Sequence, residues 1–307
     1  MPPRAAHTGN RGFPWSKLHT EREALTGTLL VQGTQRMTTP VGTLGCIGGG
    51  QMAEALIRGL LSAQLVAPEA LYVVEPSGER LDLLRNRYHI QPARDEADLC
   101  AHCATLLAAI KPQLAATVLA GYRPYLTEEH LLLSIMAGVS LSGLRRFAGP
   151  QPRLIRAMPN TPALVLAGAT AFSPDDSATE ADRKLAKTVF DAVGTSLEVP
   201  EKLLDGVTGL SGSGPGYVFV FLEALIDGGI LAGLPRAQAE QLALQTLYGS
   251  AKLALESGET AATLKGRVTS PGGTTIEGIQ TLEQGAFRAL VMAAVREASR
   301  RSRELGR

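Results

Sequence analysis

The chain is poor in aromatic residues, in cysteine and in net charge. Aromatics make up 5% of its 307 residues, against 33 glycines. Such a stock of small side chains suits closely packed helices and tight turns. A net charge of +1 gives no electrostatic footprint for nucleic acid or for an anionic membrane. No apolar run in the sequence comes near the ~20 residues that a bilayer-spanning helix needs, so no membrane partner is expected. There are three cysteines, Cys46, Cys100 and Cys103. Cys100-Ala101-His102-Cys103 has C-x-x-C spacing, but a structural zinc takes four ligands and there is no second pair. No metal site is therefore expected, and the thiols read as free thiols of a reducing cytoplasm. The five histidines, His7, His19, His89, His102 and His130, all lie outside the glycine-rich turns.

The remaining composition is that of a globular protein. At 45% hydrophobic and 19% charged, the chain is long enough for two domains. Residues 1–40 stand apart, with scattered Pro, Gly and basic residues and no sustained periodicity. They are expected to be a disordered extension, with Met37 as an alternative start. From Val41 the pattern sharpens. Thr43 to Ile47 forms a short buried strand, Gly48-Gly49-Gly50 follows, and a helix runs from Gln51 to about Leu61. Gly48-x-Gly50-x-x-Ala53 is the G-x-G-x-x-A form of the dinucleotide fingerprint, placed between strand and helix as it must be.

Leu71 to Val74 reads as the second strand, ending at Glu75-Pro76-Ser77. An acid at that position normally holds the ribose hydroxyls of NAD, whereas Ser77 and Arg80 suit the extra phosphate of NADP. Further strands are expected at Thr105–Ile110, Leu131–Met136 and Arg153–Met158, alternating with helices. Thr170–Ser173 and Ser196–Val199 read as edge strands around a helix from Thr179 to Val193. This alternation defines an α/β fold: an N-terminal doubly wound, Rossmann-type dinucleotide-binding domain over residues 41–200. Lys111-Pro112, Ala137-Gly138 and Pro159 to Pro162 follow carboxyl ends of strands, where such sheets bind ligands.

After Pro200 only helices are expected, which makes residues 201–307 an all-α domain. The helix opened by Gly212 to Gly216 runs on through Ile226 and is apolar nearly all round. So small a helical region cannot cover it alone, and a second subunit is the natural cover. Pro235 starts another helix. Then comes Val268-Thr269-Ser270-Pro271-Gly272-Gly273-Thr274-Thr275-Ile276-Glu277, a tight glycine turn feeding a helix. The free amides at such a helix start can take a carboxylate or a phosphate.

A dinucleotide domain followed by a helical one points to hydride transfer. Alcohol and hydroxyacid dehydrogenases need a general acid–base, commonly Lys, His or Tyr. The helix behind Gly209-x-x-Gly212-x-Gly214 offers Val218, Phe219, Val220 and Phe221 instead. A substrate that carries its own basic nitrogen, an imine, accounts for that absence. Two other classes fit less well: a related imine or hydroxyacid reductase, and a non-enzymatic dinucleotide sensor. The second need not keep Thr275 and the glycine pair.

Five blocks together resemble the pyrroline-5-carboxylate reductase family, which makes proline. They are Ile47 to Ala53, Ala109-Ile110-Lys111-Pro112, Arg156 to Pro162, Leu210 to Pro215, and Val268 to Leu282, the last being the most specific. The resemblance implies a homodimer or higher homo-oligomer that reduces a small cyclic imine with NADPH, NADH being possible. It implies cofactor contacts from Ile47, Gly48, Gly49, Gly50, Gln51, Met52, Ser77, Ala109, Ile110, Lys111, Pro112 and Asn160. The amides of Gly272, Gly273 and Thr274 would take the substrate carboxylate. Thr275 matches the threonine whose hydroxyl contacts the ring nitrogen. Glu259 resembles the acidic residue near the substrate loop, and Arg267 falls where a polar cofactor contact is common.

Overall fold

The computed structural model describes residues 40–306, so the expected N-terminal extension lies outside the described residues. Eight strands form one sheet in the order β3-β2-β1-β4-β5-β6-β7-β8. The first six are β1 (Leu44–Ile47), β2 (Leu71–Val74), β3 (Gln91–Pro92), β4 (Thr105–Ala108), β5 (Leu131–Ser134) and β6 (Arg153–Met158). All six pair in parallel. Every residue of β1, β4 and β5 is buried, as expected where helices cover both faces of a parallel sheet.

Alternate strand residues feed two cores. On one face Leu44, Cys46, Leu107 and Ile155 pack with Leu56 and Ile57 of α1 (Gln51–Ser62), Leu84 of α2 (Gly78–Tyr88) and Phe190 of α6 (Glu180–Asp191). On the other, Ile47, Leu106 and Leu132 pack with three further helices. These are α3 (Glu96–His102), α4 (Ala115–Tyr122) and α5 (Leu141–Ala148). The doubly wound expectation is met, with three differences. The strand expected at Thr170–Ser173 is β7 (Gly168–Pro174), and it is no edge: it lies between β6 and β8 and runs antiparallel to β6. Only β8 (Gly194–Glu198) is an edge there. Strand β3 and helix α3 were not anticipated. Asp95 caps α3 by accepting from the Asp98 amide, a start signal that the C-x-x-C reading passed over.

All three thiols sit inside this sheet region. Burial pushes Cys46 and Cys103 up to about 12 and Cys100 up to about 11. Almost no thiolate exists at neutral pH, so all three should resist alkylation in the folded protein near pH 8. Mass spectrometry after iodoacetamide treatment checks this; rapid labelling of any of them in the native state would refute it. Among the described residues no group of three or more His, Cys, Asp and Glu could hold a metal ion.

Beyond β8 the described chain is helical. It holds α7 (Leu204–Val207), a π-helical turn (Thr208–Gly212), α8 (Gly214–Leu231), α9 (Arg236–Ser257), α10 (Ala261–Arg267), α11 (Thr274–Gln284) and α12 (Phe287–Leu305). Polar contacts fasten this region to the sheet. Glu201 Oε1 accepts from Arg156 of β6 at 2.9 Å and from the Leu141 amide at 2.7 Å. In this single chain α8 has no buried residue. Phe219 is 64% exposed and Val220 68%. The stretch Glu201–Leu231 is in fact long and apolar enough to cross a membrane by length and composition, 18 of its residues in a row having a mean hydropathy of 1.4. That corrects the expectation that no run comes near spanning length. A face this apolar and this bare calls for a cover.

Candidate active site

Five loops of the sheet matter, and the parallel strand order brings them to one edge. They follow β1, β2, β4, β5 and β6. After β1 the chain turns at Gly48, whose φ is +92°. A side chain there would also meet the Ala109 carbonyl oxygen at 2.9 Å and Ile110 Cγ2 at 2.9 Å, so only glycine fits. The Gly48 amide donates to Val74 O at 2.9 Å, and the Ala109 amide to Ile47 O at 2.9 Å. The three expected cofactor loops are thus tied to one another through Ile47, Gly48, Ala109 and Ile110. Lys111 and Pro112 lead out of this edge, with Lys111 exposed.

Helix α1 begins on Gly50 and has no side-chain cap. Nothing lies within 4 Å of where a Gly50 side chain would stand. The amides of Gln51 and Met52 have no acceptor among the described residues. Open space over unpartnered helix-start amides is the shape that a pyrophosphate fits. Ala53 is fully buried, which lets α1 pack close to the sheet.

At the end of β2 the side chains are already engaged. Glu75 Oε2 accepts from the Gly49 amide at 2.8 Å and Oε1 from the Ser77 amide at 3.0 Å. Ser77 caps α2 by accepting from the Arg80 amide. Arg80 Nε donates to Gly49 O at 2.6 Å, and its terminal nitrogen to Glu54 Oε2 at 2.5 Å. Burial works against a charge on Glu54, but hydrogen bonds from Tyr88 and Arg80 outweigh it and hold the carboxyl below its usual range. This network under the fingerprint loop was not visible in sequence; only the pairing of an acid in α1 with bases in α2 hinted at it. Asn160, expected among the cofactor contacts, has two partners within the protein. Its Nδ2 donates to Ser211 O at 3.0 Å, and its Oδ1 accepts from the Ala169 amide at 2.8 Å. It joins β6, β7 and the π-helical turn.

The second glycine turn repeats the design of the first. Gly272 has φ +63°, and α11 begins on Gly273 with no side-chain cap. By contrast α2, α3, α5, α6 and α10 are each capped by a Ser, Asp or Thr side chain. The Gly273 amide donates to Ser270 O at 3.1 Å, so it serves the turn. The amides of Gly272, Thr274 and Thr275 have no acceptor among the described residues. Of the three amides expected to take a carboxylate, two remain open, and Thr275 adds a third. The Arg267 guanidinium pairs with Glu259 Oε1 at 2.8 Å. The other Glu259 oxygen, Oε2, is closed off from solvent with no partner. Within the chain α11 packs on α12, and no backbone hydrogen bond ties residues 268–277 to the sheet among the described residues.

A dinucleotide loop at the carboxyl edge of a parallel sheet, joined to a helical region with an uncapped glycine turn of its own, fits a nicotinamide-dependent oxidoreductase. Residues 201–305 match the family described as pyrroline-5-carboxylate reductase dimerisation. The pyrroline-5-carboxylate reductase of Synechocystis sp. is 48% identical over 264 residues, covering 86% of this chain and 98% of that one. The chain belongs to the pyrroline-5-carboxylate reductase family. The Escherichia coli reductase of the same name is 39% identical over 86% of this chain and 98% of its own. A Plasmodium falciparum pyrroline carboxylate reductase solved with NADP bound superposes with a TM-score of 0.78 at 33% identity, covering 88% of this chain and all of that one. Residues 43–138 match the family described as NADP oxidoreductase coenzyme F420-dependent.

Proposed function

We propose that this chain reduces 1-pyrroline-5-carboxylate to L-proline with NADPH, NADH being usable, as a homodimer or larger homo-oligomer. The observation that carries the reading is the α11 start: a glycine cap leaves the Thr274 and Thr275 amides open beside the Thr275 hydroxyl. A dinucleotide whose pyrophosphate is held at the Gly48–Gly50 loop would supply, from its nicotinamide, the hydride that the C5 carbon of the cyclic imine takes up. The chain's own part is positioning. The Gly272, Thr274 and Thr275 amides hold the substrate carboxylate and so fix one end of the ring. The Thr275 hydroxyl hydrogen-bonds the ring nitrogen and fixes the other. A protonated imine is electrophilic already, which is why the neighbouring helix can do without lysine or histidine. A hydroxyacid substrate would need such a group, and a mere dinucleotide sensor would not need the second anion site. The bare face of α8 is covered by a second copy of the chain, not by a bilayer. Nucleic acid is no partner, and free thiols fit a place in the cytoplasm.

Thr275→Ala should keep its fold and its affinity for the dinucleotide. Loss of one positioning hydrogen bond is worth about 1–3 kcal/mol, or roughly 10- to 100-fold in kcat/KM. Thr275→Ser should recover most of that loss. Steady-state kinetics with 1-pyrroline-5-carboxylate decides the matter. An alanine variant as efficient as the parent would reduce Thr275 to a helix-start residue, and a folded but wholly inactive one would give it proton chemistry instead.

A further inference from the structure

We propose that Asn160 is a positioning residue for hydride transfer and not a cofactor contact: its side-chain amide locks the loop after β6 to the π-helical turn ahead of α8. The inference rests on the reading of the chain as an NAD(P)H-dependent imine reductase. Both partners of Asn160 are backbone groups that lack their regular mates. The antiparallel β6–β7 ladder ends at the pair Met158 and Ala171. Two residues on, Asn160 falls opposite Ala169, and its Oδ1 accepts the Ala169 amide at 2.8 Å. The backbone carbonyl of Asn160 is already used, accepting the Ala163 amide at 3.1 Å. On the other side, the Ser211 carbonyl would take its helical bond from residue 215. That residue is Pro215, which has no N–H. Asn160 Nδ2 donates to the Ser211 carbonyl instead, at 3.0 Å. One side chain must accept from an N–H and donate to a C=O across this gap, which a carboxamide does in one orientation only.

The place of this brace ties it to the reaction. With the pyrophosphate on the Gly48–Gly50 loop, the nicotinamide half of a dinucleotide would extend over β4 and β5. Strand β6 is the next in the sheet, so its loop would border the end from which the hydride leaves. Alternate residues along this seam reach the helical region. Arg156 pairs with Glu201 at 2.9 Å. Met158 Cε lies 2.8 Å from where a Gly212 side chain would begin. Asn160 holds Ser211, and of the three it alone hydrogen-bonds the backbone of the turn. A π-helical turn is a rare form that needs support from outside, and this one leads within two residues into α8. If it slips, the helical elements that follow shift against the cofactor edge. The Gly48–Gly50 loop stays as it is, so binding survives while the reacting atoms lose their alignment.

The test compares Asn160→Asp with the parent. The aspartate keeps an acceptor for the Ala169 amide but sets two oxygens against each other at Ser211; Asn160→Ala removes both contacts. Asn160→Asp should melt and assemble like the parent, and its dissociation constant for NADPH, titrated without imine, should stay within about threefold. Its kcat should fall roughly tenfold or more, and Asn160→Ala should lose at least as much. With a dinucleotide deuterated at the transferred position, the isotope effect on kcat should be as large as in the parent or larger, because the slowed step is hydride transfer. Amide hydrogen exchange, which needs neither cofactor nor turnover, should quicken over residues 208–216 in both variants. Affinity for NADPH lowered about tenfold or more, with kcat at saturation near the parent's, would make Asn160 a cofactor contact and overturn the inference. A kcat within about threefold of the parent overturns it too, as does a slow variant with a smaller isotope effect, or unchanged exchange over the turn. A parent chain that does not reduce the imine would count against the proposed function, and the exchange result then decides the brace by itself.

Discussion

Val220→Glu should give a folded monomer with no reductase activity. In the isolated chain Val220 is 68% exposed and its neighbour Phe219 64%. A carboxylate there costs the monomer little, within about 0.5 kcal/mol for an ordinary surface change. In the oligomer the same position lies on the apolar face that a second copy must cover. A two-fold interface repeats the change, so both carboxylates lose their water without gaining partners. Leaving one charge buried and unpaired costs about 3–5 kcal/mol, enough to part the subunits at micromolar concentration. Activity should fall with the oligomer, by at least about 100-fold, a loss equivalent to some 2.7 kcal/mol. Light scattering and an NADPH-oxidation assay on the same sample check both halves. A monomer that turns over at the parental rate would show that activity does not need a second copy.

Gly48→Ala is expected to abolish useful dinucleotide binding. The added methyl would sit 2.9 Å from the Ala109 carbonyl oxygen, on a backbone at φ +92°. Neither neighbour can give way cheaply, because the Ala109 amide is bonded to Ile47. Forcing a side chain into such a backbone costs about 1–3 kcal/mol, and overpacking adds about as much again. The loop can relieve this only by leaving β2 and β4, which moves the amides that would hold the pyrophosphate. We expect affinity for either dinucleotide to drop by roughly 100-fold or more, with a lower melting temperature. Gly50→Ala is the control. No atom lies within 4 Å of the new methyl, so the fold should be untouched while binding still weakens. Calorimetric titration separates the two: unchanged affinity in Gly48→Ala would show that the loop is not the cofactor site.

Both glycine turns were legible in the sequence because their signals are local. At the first, a strand, a glycine and an amphipathic helix within twenty residues leave few other readings; at the second, Pro271-Gly272-Gly273 ahead of an apolar-periodic run does the same. What was missed depended on partners far along the chain. Thr170–Ser173 carries the pattern of any short strand, and nothing in it tells that β7 will reverse and insert between β6 and β8. Asn160 announces a polar role, yet its partners are the Ser211 carbonyl and the Ala169 amide. Arg80 was read as a free cation, since a sequence shows charge and not the Glu54 carboxylate and Gly49 carbonyl that hold it. The Gly273 amide belongs to its turn for a similar reason: Pro271-Gly272 fixes the bend, and only the closed geometry shows the Ser270 carbonyl accepting it. Helix α10 went unnoticed although Thr260 caps it; seven residues are too few to show a period.

The order of elements along the chain has a consequence for synthesis. Every strand is complete by Glu198, and the stretch that needs a second copy starts only at Glu201. On a ribosome the sheet can therefore close before any of α8 emerges. The remaining hundred or so residues take on the order of 5–20 s at common elongation rates. For that interval the nascent chain carries a finished nucleotide-binding half and a growing sticky tail. Two ribosomes on one message would bring such tails together while they are still being made, and assembly there would leave little bare α8 for aggregation to capture.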